Sequence, residues 1–173
     1  TDWYDVVMKD YAFNMTHNVS VRGGNQQTQY YLSGNYTEDN SILTMDNMNN
    51  DRLSFNGNVT SKITNELTAM FQTSIMYSKL EGMAGVTNQN IWYYRTIPAK
   101  VLSNPDHYSA LPDSENRNPL AITDRDAVGY SDNRNLTFRN NLEVKYEPKW
   151  FKGLVVSATG AYDFNNYRQD DLT

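Results

Sequence analysis

The two histidines, His17 and His107, are the side chains best suited to proton transfer or metal binding near neutral pH, and neither sits at ligand spacing from the other. There is no cysteine, so thiol catalysis, a disulfide framework and thiolate zinc sites are excluded. Asp163, Asp170 and Asp171 lack the alternating carboxylate and glycine spacing of a calcium loop and read as solvated acids. The triplets Asn35-Tyr36-Thr37 and Asn58-Val59-Thr60 have the form of glycosylation acceptors, but both fall within runs that alternate like strands. No nucleophile with a base and no metal set emerges. Neither enzyme activity nor a cofactor is expected.

What remains is the chemistry of binding. Trp92, Tyr93, Tyr94 and Tyr108 fall in one long loop, where aromatic rings can stack on sugar faces or clamp a peptide, unless they simply pack the loop on itself or on a partner. Arg22, Arg139, Glu143 and Lys145 occupy the polar positions of alternating runs. Such charges line a wet surface as solvated or paired groups, or they grip a second domain or a passing solute.

These residues need elements to position them, and the apolar residues recur every two positions almost throughout. Six strands follow, at about 17–23, 27–37, 52–60, 67–78, 134–146 and 154–166. In the third, Leu53, Phe55, Gly57 and Val59 oppose Ser54, Asn56, Asn58 and Thr60; in the sixth, Leu154, Val156, Ala158, Gly160, Tyr162 and Phe164 oppose Val155, Ser157, Thr159, Ala161, Asp163 and Asn165. Asn140 is the one polar intruder on the apolar side of the fifth strand. Gly23-Gly24-Asn25 is a hairpin signal, because glycine tolerates the positive φ of tight turns.

Short and long joints alternate along the chain, with the longest loop at about 80–133. Outer-membrane barrels sort loop length by end, placing short turns in the periplasm, whereas a soluble sandwich has no reason to do so. No run approaches the roughly 18 apolar residues of a membrane helix, so contact with lipid would have to be made by strands. A mean hydropathy of −0.72 is compatible with that, since alternate residues facing lipid and a wet lumen cancel in the average. Thirteen tyrosines, three tryptophans and six phenylalanines supply the aromatic load that interfaces attract. The net charge of −5 argues against nucleic acid as a partner.

The fold class expected is all-β, an antiparallel transmembrane β-barrel segment of about six strands. The alternative is a soluble sandwich, such as a secreted carbohydrate-binding module, whose apolar face would pack on a second sheet. The chain opens without a signal peptide, and the 173 residues are expected to begin inside a longer precursor.

Several strings bear a family resemblance. Thr1-Asp2-Trp3, the run His17-Asn18-Val19-Ser20-Val21-Arg22-Gly23-Gly24-Asn25 and Tyr30-Tyr31-Leu32-Ser33-Gly34-Asn35-Tyr36 resemble early barrel strands of the SusC/RagA group of TonB-dependent transporters. Asn118-Pro119-Leu120-Ala121 and Tyr146-Glu147-Pro148-Lys149-Trp150-Phe151-Lys152-Gly153-Leu154 resemble later signatures of the same group, in the same order. The resemblance implies a fragment of a roughly 22-stranded barrel, since closed barrels start at about eight strands. It also implies an N-terminal plug domain absent from these residues, a TonB complex acting through other parts of the polypeptide, and a SusD-like lipoprotein over the outer mouth. The substrate it implies is a glycan or oligosaccharide, with oligopeptide as the alternative.

Overall fold

The computed structural model describes residues 2–44, 48–83, 100–101, 104–108, 118–124, 126 and 129–172. The chain begins with a short helix, α1 (Trp3–Val7), and continues into β1 (Asn14–Gly24), β2 (Thr28–Asn40), β3 (Asn49–Lys62) and β4 (Leu67–Met83). A small hairpin follows, β5 (Lys100–Val101) with β6 (Asn104–Tyr108), then a 3-10 turn at Ala121–Thr123, then β7 (Tyr130–Tyr146) and β8 (Val156–Leu172). The six long strands form one antiparallel sheet in the order β1-β2-β3-β4-β7-β8.

Each short joint is closed by its own local chemistry. At the first, Gly24 has φ +140°, and a Cβ there would meet the Thr28 carbonyl oxygen at 2.2 Å, so only glycine fits. Asn25 Oδ1 then accepts from the backbone N–H groups of Gln27 and Thr28, both at 2.8 Å. At the second, Thr64 Oγ1 does the same for Glu66 and Leu67, at 3.2 and 3.0 Å. Successive short joints also step along the register: Gln29 pairs with Thr60, yet β3 runs on to Lys62; Thr68 pairs with Lys145, yet β7 runs on to Tyr146. Stagger of this kind accompanies strands that tilt within a barrel wall.

Register decides what each face shows. Val19, Gly34, Phe55, Ile75, Phe138 and Phe164 form one cross-strand row, and Gly23, Tyr30, Val59, Phe71, Leu142 and Gly160 form another on the same side. The intervening row on the opposite side reads Ser20, Ser33, Asn56, Ser74, Arg139 and Asp163. A slip of one residue at any pairing would mix the two sets. Asn140 Nδ2 donates to the Tyr162 carbonyl at 3.5 Å, which gives the polar intruder a partner on its own row.

Nothing among the described residues covers the apolar face. Val19 is 75% exposed, Leu53 55%, Leu142 47% and Tyr162 62%. Among the described residues the buried hydrophobic side chains of the core are Trp3, Val7 and Leu120, none of them on the sheet. The whole chain exposes 12007 Å², where a compact soluble monomer of 19.9 kDa exposes about 8,700 Å². The sandwich alternative requires an opposing layer, and the sheet stands open.

The strands outrun the alternation mainly at the long-loop end; at the short-joint end only β1, to Gly24, and β3, to Lys62, run past it. β1 starts at Asn14 where alternation predicts 17, β2 runs to Asn40 instead of 37, and β3 starts at Asn49 instead of 52. β4 extends to Met83 instead of 78, β7 starts at Tyr130 instead of 134, and β8 ends at Leu172 instead of 166. The apolar stretch Leu67 to Tyr77 of β4 measures about 33 Å at about 3.3 Å per residue, and a tilt of about 40° projects it to about 25 Å, the height of an outer-membrane hydrocarbon band. Past that stretch both faces turn polar. Lys79 pairs with Glu81, Arg168 Nε sits 3.0 Å from Asp170, and the Tyr167 hydroxyl donates to Asn133. The period-two hydropathy signal fades there, while the backbone ladder continues. At the other end Leu154 and Val155, expected in the sixth strand, belong to the joint instead.

In the full-length protein, Phe138→Arg is expected to destabilise the barrel by about 2–4 kcal/mol, the depth-dependent cost of a cation on a lipid-facing position. Ser33→Arg, on the opposite face, should cost far less. Urea titration of heat-modifiable barrel compares them.

Candidate functional site

The polar face is also the hollow face. Two open troughs indent it, one of about 630 Å³ among Arg22, Gln29, Tyr31, Asn58 and Thr60, the other of about 670 Å³ among Tyr31, Asn56, Gln72, Arg139, Asn141 and Asp163. Curvature toward the wet side is what the inner wall of a barrel needs. The lining is rich in amides and hydroxyls that alternate with the apolar set, so the hairpin registers alone bring them together. Asn35 Nδ2 donates to Asn18 Oδ1 at 2.6 Å, and Thr37 Oγ1 donates to Asn35 Oδ1 at 3.1 Å. Asn135 Oδ1 and Asn141 Oδ1 on this face are buried, and no donor reaches them among the described residues. Such acceptors suit a donor brought by another surface or a solute.

Arg22, Arg139, Glu143 and Lys145 all lie on the polar face of the sheet. Arg22 lies opposite Tyr31 and lines the first trough; Arg139 lies opposite Asp163 and lines the second. Glu143 lies opposite Met70 and Thr159. Lys145 is drawn toward the short-joint end, with Nζ 2.6 Å from Glu147. Trp92, Tyr93 and Tyr94 lie outside the described residues; Tyr108 ends strand β6.

Sequence reasoning missed the trough amides Asn56, Asn58, Gln72 and Asn141, although their place on the wet side of each alternating run was the available signal. It also missed a clasp at the long-loop end. Asp2 Oδ1 accepts from Tyr4 N at 3.1 Å and caps α1, whose one-turn spacing sets Trp3 and Val7 on the same side. Both are buried with Leu120, and Val6 and Leu43 pack against them. Backbone bonds tie the helix to the β2–β3 connection: Lys9 N to Ile42 O at 2.7 Å and Thr44 N to Val7 O at 2.8 Å. Asn118 Oδ1 accepts from Leu120 N at 2.9 Å and Thr123 Oγ1 donates to Leu120 O at 2.8 Å, shaping the segment that inserts Leu120. Two strings with no apparent connection in the sequence, at Trp3 and at Asn118 to Ala121, thus meet in one small core.

At the same end, the Ser131 hydroxyl and then the Gln169 amide hold the Asp171 carboxyl below the usual carboxylate range. A depressed carboxyl contributes stability above its unfolded value and loses it as pH falls through its folded value. The group is exposed, so the contribution is small.

The clasp should behave as a unit. In the full-length protein Trp3→Ala is expected to free the 118–124 segment, seen as faster proteolysis there, while the barrel keeps its heat-modifiable migration; Trp3→Phe should restore most of the protection.

No family model matches the chain. The TonB-dependent receptor P26 of Formosa agariphila is 25% identical over 183 aligned residues, which cover 99% of this chain and 17% of that protein. A chain of the RagAB peptide importer in its closed-closed state shares the fold, with a TM-score of 0.69 at 18% identity over 98% of this chain and 19% of that one. The chain thus spans less than a fifth of the length of either relative. Its open six-stranded antiparallel sheet, polar on one face and apolar on the other, has the fold of a segment of barrel wall and is similar to part of a TonB-dependent receptor.

Proposed function

We propose that this chain is part of the wall of a TonB-dependent importer in a bacterial outer membrane, with its short joints in the periplasm and its long loops outside. The observation that carries the reading is the apolar face, in register across six strands and uncovered among the described residues, as a surface that meets hydrocarbon would be. Every backbone group in such a wall is satisfied sideways, which is the condition for crossing lipid with strands. The relatives support nutrient import as the general activity, energised by a TonB complex that acts on other parts of the polypeptide.

The solute is a glycan or oligosaccharide too large for passive pores, handed over by a SusD-like lipoprotein. Amides and hydroxyls in the troughs, Asn58 and Asn141 among them, suit sugar hydroxyls. Oligopeptide import is the second reading, favoured by the fold shared with a peptide importer. Equilibrium binding of size-matched oligosaccharides and oligopeptides to the full-length protein separates them: binding of peptides alone would replace the first reading with the second.

Two residue-level outcomes follow. Arg139→Glu should lower uptake or plug retention about tenfold, the scale of one lost charge-assisted hydrogen bond, with the barrel still folded; unchanged uptake would leave Arg139 a solvated lining. Alanine at Trp92, Tyr93 and Tyr94 together should weaken substrate or lipoprotein binding, and both surviving intact would remove the aromatic cluster from the account.

A further inference from the structure

The joint between β7 and β8 is the longest of the short ones, and two successive turns shape it. Phe151 N donates to Pro148 O and Leu154 N to Phe151 O, both at 3.3 Å, and Gly153 takes the positive φ of +89° that the second turn requires. Glu66 of the neighbouring joint braces it. Its carbonyl accepts from Glu147 N at 2.8 Å, its carboxylate accepts from the Tyr146 hydroxyl at 3.2 Å, and Lys149 Nζ stands 4.0 Å away.

This frame holds out what a soluble turn would hide. Trp150 is 77% exposed and Phe151 56%, with their rings edge to face at 6.0 Å, and Ile63 on the adjacent joint is 60% exposed. Lys149 and Lys152 flank the two rings. Leu154, Val156 and Tyr146 continue the apolar surface from the joint into the outward face of the strands. An indole with cations beside it is matched by the headgroup layer of a membrane, where the ring lies among carbonyls and upper acyl chains and the ammonium groups meet phosphate.

We propose that the 147–155 joint is a lipid anchor: Trp150 and Phe151 seat in the headgroup layer of the leaflet nearest the short joints, and Lys149 and Lys152 hold the phosphates of anionic phospholipids. The proposal rests on the membrane reading above, and continuity with the outward apolar face selects lipid over a protein occupant. By bracing the turn against its neighbour, Glu66 keeps the rings presented, so that this part of the wall is fixed in depth.

The test uses the full-length protein in phosphatidylethanolamine vesicles containing phosphatidylglycerol, with Trp150 emission taken as the difference between wild type and Trp150→Phe. Lipids brominated near the headgroup should quench that emission severalfold more than aqueous iodide does. Emission open to iodide would overturn the anchor, and emission shielded from both quenchers would overturn it in favour of a protein contact. Phe138→Trp in the Trp150→Phe background reports on the middle of the band: if deep brominated lipid quenches it while Trp150 stays wet, only the anchor fails, and if it too is wet the membrane reading fails with it. Brominated phosphatidylglycerol should quench Trp150 severalfold better than brominated phosphatidylethanolamine, and Lys149→Glu with Lys152→Glu should abolish that preference. Equal quenching by the two lipids in the wild type would remove the lysines from the proposal.

Discussion

A side chain on a strand reaches one side of the sheet only, so the pairing register alone determines which residues share a solvent. Here five successive pairings keep the same parity, from Val19 opposite Gly34 to Phe138 opposite Phe164. The outcome is an apolar surface that the described residues do not bury: in water each large side chain on it forgoes about 1.5–3 kcal/mol of transfer free energy. A ladder of hydrogen bonds holds the strands side by side, but it supplies no layer to cover them. The register thus leaves the apolar face uncovered among the described residues and gathers the troughs on the polar face.

The two ends of the sheet solve different problems. At the short-joint end, side-chain caps at Asn25 and Thr64 and the Glu66 brace close the hairpins tightly. At the long-loop end the strands continue past the band as a ladder that is polar on both sides, and the only buried hydrophobic core among the described residues gathers there around Trp3, Val7 and Leu120. That core binds the leading helix, the β2–β3 connection and the return of the longest loop to one another. Loops that carry recognition on a rigid wall need such a footing.

The fold was legible because alternation survives averaging where one face is apolar and the other polar. It failed past Tyr36, Tyr77 and Leu136, where both faces are wet and Glu38, Lys79 and Arg134 replace the apolar set while the strands run on. Helix α1 was invisible because five residues carry too little period, and its cap depends on a single aspartate. The wet-face charges were placed by parity alone. The trough amides were not singled out, because an asparagine in a strand looks the same whether it lines a hollow or a flat surface, and only curvature separates the two. The meeting of Trp3 with Leu120 joins residues more than a hundred positions apart, and no local pattern reports such a contact.

The central claim is that the even-numbered side chains of β7 face hydrocarbon and the odd-numbered ones do not. Nitroxide labels placed one at a time from 136 to 146 in the full-length protein, reconstituted in vesicles, report it through collision with oxygen and with a water-soluble nickel chelate. Oxygen accessibility peaking at 136, 138, 142 and 144, with nickel accessibility or immobilisation at 137, 139, 141 and 143, is the pattern the account predicts. Accessibility with no two-residue period, or nickel contact at the even positions, would contradict it.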